Sequence, residues 1–127
     1  AAERDHLQVV CDQTGSPTPA RWIAAATALT LARTRNGNPW RSGTVHLAAS
    51  GHTTWHGFAE AIFADALVAG LIERAPFVEA IPTLAWPTPA RRPAYSCLDT
   101  RALRERYGVT LPDWREGVTQ VVGELAR

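Results

Sequence analysis

Apolar residues recur along this chain with two different periods, and the switches between them mark out its elements. Leu7-Gln8-Val9-Val10-Cys11 is a short β-branched run that predicts a strand. Residues 12–19 break it: Gly15 permits a positive φ, and Pro17 and Pro19 hold the exit extended. Over residues 20–35 the spacing becomes helical, with Trp22, Ala25, Ala26, Leu29 and Ala32 on one face. The alanines suit close packing against a sheet, and Gly37 suits a C-terminal cap. Thr44-Val45-His46-Leu47-Ala48 predicts a second strand, with His46 as a packed core or strand-edge residue.

Thr53 or Thr54 then caps a second helix. Its Trp55, Phe58, Ala59, Ile62, Phe63 and Ala66 form an i, i+3, i+4, i+7 stripe, read as core rather than as a platform for bases. Gly70 is expected to end it. Residues 77–82 alternate briefly as a strand. Asp99 suits the N-cap of a short helix bearing Ala102, Leu103 and Tyr107, closed by Gly108. Asp113 and Glu116 have capping-box spacing at the head of a last helix. Trp114, Val118, Val121, Val122 and Leu125 make its buried face. Strands alternating with helices predict an α/β fold: one domain over residues 1–127, with few short strands and about four helices.

One stretch fits neither period. Trp86-Pro87-Thr88-Pro89-Ala90-Arg91-Arg92-Pro93-Ala94-Tyr95-Ser96-Cys97-Leu98-Asp99 has prolines that forbid a helix and favour extended backbone. Arg91 and Arg92 lie between two of them, on a stiff mount that lowers the entropy lost on clamping a ligand. A guanidinium matches phosphate or carboxylate with a planar fork. The alternative is a surface loop with solvated or salt-bridged arginines. Residues 12–19 likewise offer Gln13, Ser16 and Thr18 to ligand hydroxyls, or else form a turn whose side chains bond their own backbone.

Composition narrows the function classes. A formal net charge of +1 gives no polyanion-coating surface, so nucleic acid is not an expected partner. No apolar run reaches bilayer-spanning length, and no membrane association is expected. Cys11 and Cys97 are isolated in apolar contexts and read as buried thiols in a reducing compartment. His52 and His56 have a spacing that a metal site can use, but no carboxylate or thiol is placed beside them. The chain has no Lys and no Met, so it is expected to be a piece of a longer protein.

Four anchors, in order, resemble one family. They are Glu3-Arg4-Asp5 with Val9-Val10 and Asp12-Gln13-Thr14-Gly15-Ser16-Pro17-Thr18; His46-Leu47-Ala48 with Thr54-Trp55 and Phe58-Ala59; residues 87–96 with Leu98-Asp99; and Leu111-Pro112-Asp113-Trp114-Arg115. Together they resemble the C-terminal, substrate-binding portion of dTDP-4-dehydrorhamnose reductases, members of the extended short-chain dehydrogenase superfamily. The resemblance covers essentially the whole chain. It implies a bacterial, cytoplasmic oxidoreductase of dTDP-rhamnose and polysaccharide biosynthesis. Such an enzyme reduces the 4-keto group of a dTDP-linked 6-deoxysugar with NADH or NADPH held by an N-terminal Rossmann domain.

The resemblance also implies what this piece lacks and what it keeps. The superfamily's Tyr-x-x-x-Lys pair cannot exist without Lys, and no glycine-rich turn cradles a pyrophosphate, so no reductase activity is expected of the piece alone. Arg92 matches the arginine that grips the nucleotide diphosphate, with Arg91 beside it and Tyr95 following. Gln13, Ser16 and Thr18 fall in a wall near the reacting sugar. Pro19-Ala20-Arg21-Trp22 departs from the family's Tyr-Ala-x-Asp-Leu. Some members hold Mg²⁺ at a subunit interface, which here would fall to Glu3 and Glu124. Without its Rossmann half the piece is expected to expose apolar surface and strand edges and to form a homodimer. Two other readings stand beside the reductase: a non-catalytic sugar-nucleotide-binding or regulatory subunit, and a different sugar-nucleotide reductase or epimerase.

Overall fold

Two distant segments meet as parallel strands, β1 (His6–Val10) and β4 (Phe77–Ile81), with His6 opposite Phe77 and Val10 opposite Ile81. The structure is a computed structural model and describes residues 4–35 and 42–127. Parallel strands need a long crossover, and this one carries α1 (Ala20–Arg35) and α2 (Trp55–Val68). α2 packs on both strands. Beside them, β2 (Thr14–Gly15) and β3 (Thr53–Thr54) form a second, antiparallel pair. A 3₁₀ turn, Thr83–Ala85, follows β4, and α3 (Arg101–Tyr107) and α4 (Trp114–Leu125) close the order.

The helix ends follow local chemistry. The Thr54 hydroxyl accepts from Gly57 N–H at 3.0 Å at the head of α2. Gly70, at φ +71°, lets Leu71 N–H reach back to the Ala66 carbonyl, the six-to-one bond of a Schellman ending. Asp113 and Glu116 close the expected capping box on α4. α3 starts one residue later than expected: Thr100 is its N-cap, while the Asp99 carboxylate still accepts from Arg101 N–H at 2.9 Å. The Arg101 guanidinium also binds that carboxylate and holds its pKa down at about 2.

Packing falls into two clusters. Ala26 of α1 meets Leu103, Tyr107 and Val109, with Val45, Leu47 and Leu111 against them. Ala61 and Ala66 of α2 meet Val118 and Val122 of α4. The second contact is tied by Arg115, whose guanidinium engages both oxygens of Asp65 and keeps that carboxyl below its ordinary range.

Several expectations need correction. Residues 44–48 form no strand: Val45 and Leu47 lie against the first cluster, but among the described residues no partner strand reaches them, and His46 is exposed rather than packed. The helix α1 meets α3 instead of a sheet, and its expected apolar face is covered near Trp22 and Ala26, while Ala25, Leu29 and Ala32 are exposed. On α4, Val121 and Leu125 are exposed rather than buried. Cys11 and Cys97 are free and half-buried. The expected Gly37 cap lies outside the described residues. A two-stranded parallel sheet is an unusual end state, because parallel sheets are normally covered on both faces. Phe77 on β4 stays 68% exposed, with only the His6 ring stacked on it.

Candidate functional site

The residues just after β1 staple the proline-rich stretch at both of its ends. At the near end, both Asp12 carboxylate oxygens accept from Thr83 N–H at 3.0 Å, and Oδ1 accepts the Thr83 hydroxyl at 2.6 Å. Gln13 Nε2 donates to the same Thr83 Oγ1 at 3.0 Å. At the far end, Thr14 N–H donates to the Ala94 carbonyl at 2.8 Å, and Ser96 N–H donates to the Thr14 carbonyl at 2.9 Å. The loop between, residues 86–93, carries Trp86 and both arginines without regular structure, as its prolines require.

The Thr83 hydroxyl and N–H pull the Asp12 carboxyl below its ordinary value of 3.8. A lowered folded pKa means that the staple is fully present above that ordinary value and is lost as pH falls through the lower, folded one. Asp12→Ala should therefore speed amide exchange at Thr83 and Trp86 at neutral pH. Acidifying the unsubstituted protein well below pH 4 should likewise lower the protection of these amides relative to their intrinsic exchange rate at each pH. Equal exchange in both proteins across this range would refute the staple.

Two adjoining cavities open around this loop. One, of about 470 Å³, is lined by Gln8, Gln13, Trp55, Trp86, Thr88 and Arg92 with two valines of β1. The other, of about 400 Å³, is lined by Gln13, Ser16, Thr18, Thr53, Trp55 and Ser96 among others. Gln13 and Trp55 line both. The fold thus brings Arg92, Gln13, Ser16 and Thr18 to one region. Arg91 is exposed and lines neither cavity. Tyr95, 65% exposed, stands edge-on to His52, and a hydrogen bond with the Cys97 side chain holds its hydroxyl above the usual phenol range.

Ser16 and Thr18 spend their hydroxyl protons on the backbone. Ser16 Oγ donates to the Gly51 carbonyl at 2.7 Å, and Thr18 Oγ1 donates to the Ser16 carbonyl at 2.9 Å while accepting from Ala49 N–H. Their first task is to shape the wall. Sequence reasoning passed over four residues here: Asp12, Thr83, Trp55 and Trp86. Trp55 and Trp86 are each 57% exposed. Helical spacing puts Trp55 in the core, but it does not say whether a stripe's first residue is covered. Asp12 and Thr83 are 71 residues apart, and no local signal joins them.

The α1 and α4 helices meet where the chain departs from the family pattern. Pro19 and Trp22 lie over Gly117, where an added Cβ would come within 2.9 Å of the Pro19 ring. The Arg21 guanidinium binds Glu124 Oε1, which also accepts from Gln120 Nε2 at 3.1 Å; Gln120 in turn accepts Trp22 Nε1–H at 2.8 Å. Glu124 is thus already neutralised by a guanidinium, and Glu3 lies outside the described residues. Magnesium takes several oxygen ligands in octahedral array, and among the described residues no three His, Cys, Asp or Glu side chains gather for a metal. The described residues therefore give no support to a Mg²⁺ site. His56 is engaged by Glu60 and by the Val78 carbonyl.

Among the described residues Arg92 is the only ionisable side chain lining either cavity. Among the described residues the two hollows offer one guanidinium, amide and hydroxyl walls and two indoles, groups that can contact an anionic, partly flat molecule. Together these define a substrate-binding domain. The whole chain, residues 1–127, matches the family model described as RmlD substrate binding domain, and it belongs to that family.

Among similar proteins, the dTDP-4-dehydrorhamnose reductase of Burkholderia thailandensis is 47% identical over 130 residues, which is 98% of this chain and 44% of that protein. The enzyme of the same name from Escherichia coli K12 is 42% identical over 125 residues, covering 98% and 42%. The crystal structure of a dTDP-4-dehydrorhamnose reductase from Clostridium acetobutylicum superposes with a TM-score of 0.79 at 27% identity, covering 98% of this chain and 40% of that one. That from Bacillus anthracis, in complex with NADP, gives 0.72 at 29% identity, covering 93% and 38%. The chain therefore spans less than half the length of these relatives.

Proposed function

We propose that this chain is the sugar-nucleotide-binding part of a dTDP-4-dehydrorhamnose reductase, which reduces dTDP-4-dehydro-L-rhamnose to dTDP-L-rhamnose with NADPH or NADH. The observation that carries the reading is the pair of cavities whose sole ionisable lining residue, among the described residues, is Arg92, presented on a loop pinned at both ends. A guanidinium on a pinned loop suits a diphosphate, and the amide and hydroxyl wall beside it suits a sugar. The relatives' names supply the base and the sugar. Hydride and proton transfer belong to an N-terminal Rossmann domain, since these 127 residues contain no Lys for a Tyr-x-x-x-Lys pair. Their part is to bind, orient and shield.

A cytoplasmic, bacterial setting in polysaccharide biosynthesis accompanies this reading. Among the described residues no helix is long and apolar enough to cross a membrane. The exposed apolar residues on β4, α1 and α4 support docking of the Rossmann half and homodimer formation.

One pair of samples tests the reading. The full-length protein should consume NADPH or NADH when given dTDP-4-dehydro-L-rhamnose; the 127-residue piece should not, and its sedimentation should depend on concentration. Turnover of another sugar nucleotide in preference, or by the piece alone, would overturn it.

A further inference from the structure

The loop pinned by residues 12–14 presents two different groups to one cavity: Arg92 near one end and Trp86 at the other. The Trp86 backbone is fixed by its N–H bond to the Thr83 carbonyl at 3.0 Å, and Thr83 is the residue that Asp12 and Gln13 hold. Among the described residues its indole makes no ring contact, and it is 57% exposed. Trp55, which lines the same cavity, is braced edge-on by Phe58 at 6.3 Å, and Phe58 by Trp114 at 6.5 Å. Trp22 differs from both, because its indole N–H is satisfied by Gln120.

An unpacked indole beside a guanidinium matches the two halves of a nucleoside diphosphate, a flat ring with π faces and an anion. Aromatic faces stack on bases with little regard for which base it is. Resting on the sugar-nucleotide reading above, we propose that Trp86 stacks on the nucleobase while Arg92 holds the diphosphate, and that Trp55, shared by both cavities, borders the sugar. The site then recognises the base mainly by its face. Exchange of thymine for uracil is tolerated better than loss of the base.

The test is calorimetric titration of the full-length protein with dTDP, UDP and inorganic pyrophosphate. Trp86→Ala should weaken dTDP and UDP by about tenfold or more, the lower-middle of the range for one lost stacking contact. It should leave pyrophosphate affinity unchanged, and Trp86→Phe should retain most of the dTDP affinity. An equal loss of pyrophosphate affinity in Trp86→Ala would mean that the loop has moved, and would overturn stacking. So would unchanged dTDP affinity, as when the Rossmann half covers Trp86. Failure of the unsubstituted protein to bind dTDP at all would instead sink the sugar-nucleotide reading.

Discussion

Arg92→Ala in the full-length protein should lower dTDP affinity by about 1–3 kcal/mol, the scale of hydrogen bonds to a charged group, or roughly five- to 150-fold. Among the described residues Arg92 is the sole ionisable group lining the two cavities, so no second cation from these residues stands in for it there. Its mount is already ordered by the bonds of residues 12–14 to Thr83, Ala94 and Ser96, so little of its binding energy is lost to fixing the loop. Arg91→Ala is the matched comparison. It removes the same charge from the same loop, but Arg91 lines neither cavity, so the loss should be markedly smaller. Arg92→Lys should recover only part of the affinity, because an ammonium keeps the charge without the planar fork. Equal losses at the two arginines would reduce the effect to general electrostatics. No loss at Arg92 would remove it from the site.

The second large effect is expected at Gly51. Its φ of +71° lies in the region that costs other residues about 1–2 kcal/mol, and a Cβ there would come within 2.2 Å of Asp113 Oδ2. Asp113 is the N-cap of α4, and loss of such a cap costs about 1 kcal/mol. Gly51→Ala should therefore destabilise the protein by about 2–3 kcal/mol in chemical denaturation. Asp113→Ala alone should cost about 1 kcal/mol. The double variant should fall short of the sum, since the second change removes the group with which the first collides. Strict additivity would show that the clash does not govern. The Gly51 carbonyl also accepts the Ser16 hydroxyl, so the same substitution should disturb the wall of the smaller cavity.

Much of this was legible in the residues themselves. The caps at Thr54, Gly70, Gly108 and Asp113 are local chemistry, settled within a few residues, and both five-residue strands lay within one residue of their expected places. The prolines around Arg91 and Arg92 announced an irregular, stiff loop for the same reason: a ring that fixes φ acts on its own backbone. Residues 44–48 show the limit. Their alternation is real, but a strand exists only when a partner offers its edge, and here Val45 and Leu47 meet α3 and its neighbours instead. The apolar stripes on α1 and α4 misled in the same way: periodicity marks a face that seeks cover without saying that this chain supplies it.

What the sequence by itself determined was therefore the set of elements, their ends, the stiff arginine loop and, through four ordered motifs, the family. Only the tertiary structure decided that Arg92 and not Arg91 lines the hollow, that Trp55 and Trp86 face it, that Asp12 grips Thr83 across 71 residues, and that Arg21 neutralises Glu124. The physical reason is range. Caps, turns and proline constraints act over a few bonds and are written in neighbouring residues. Pairing, burial and charge compensation depend on which distant surfaces the chain brings together.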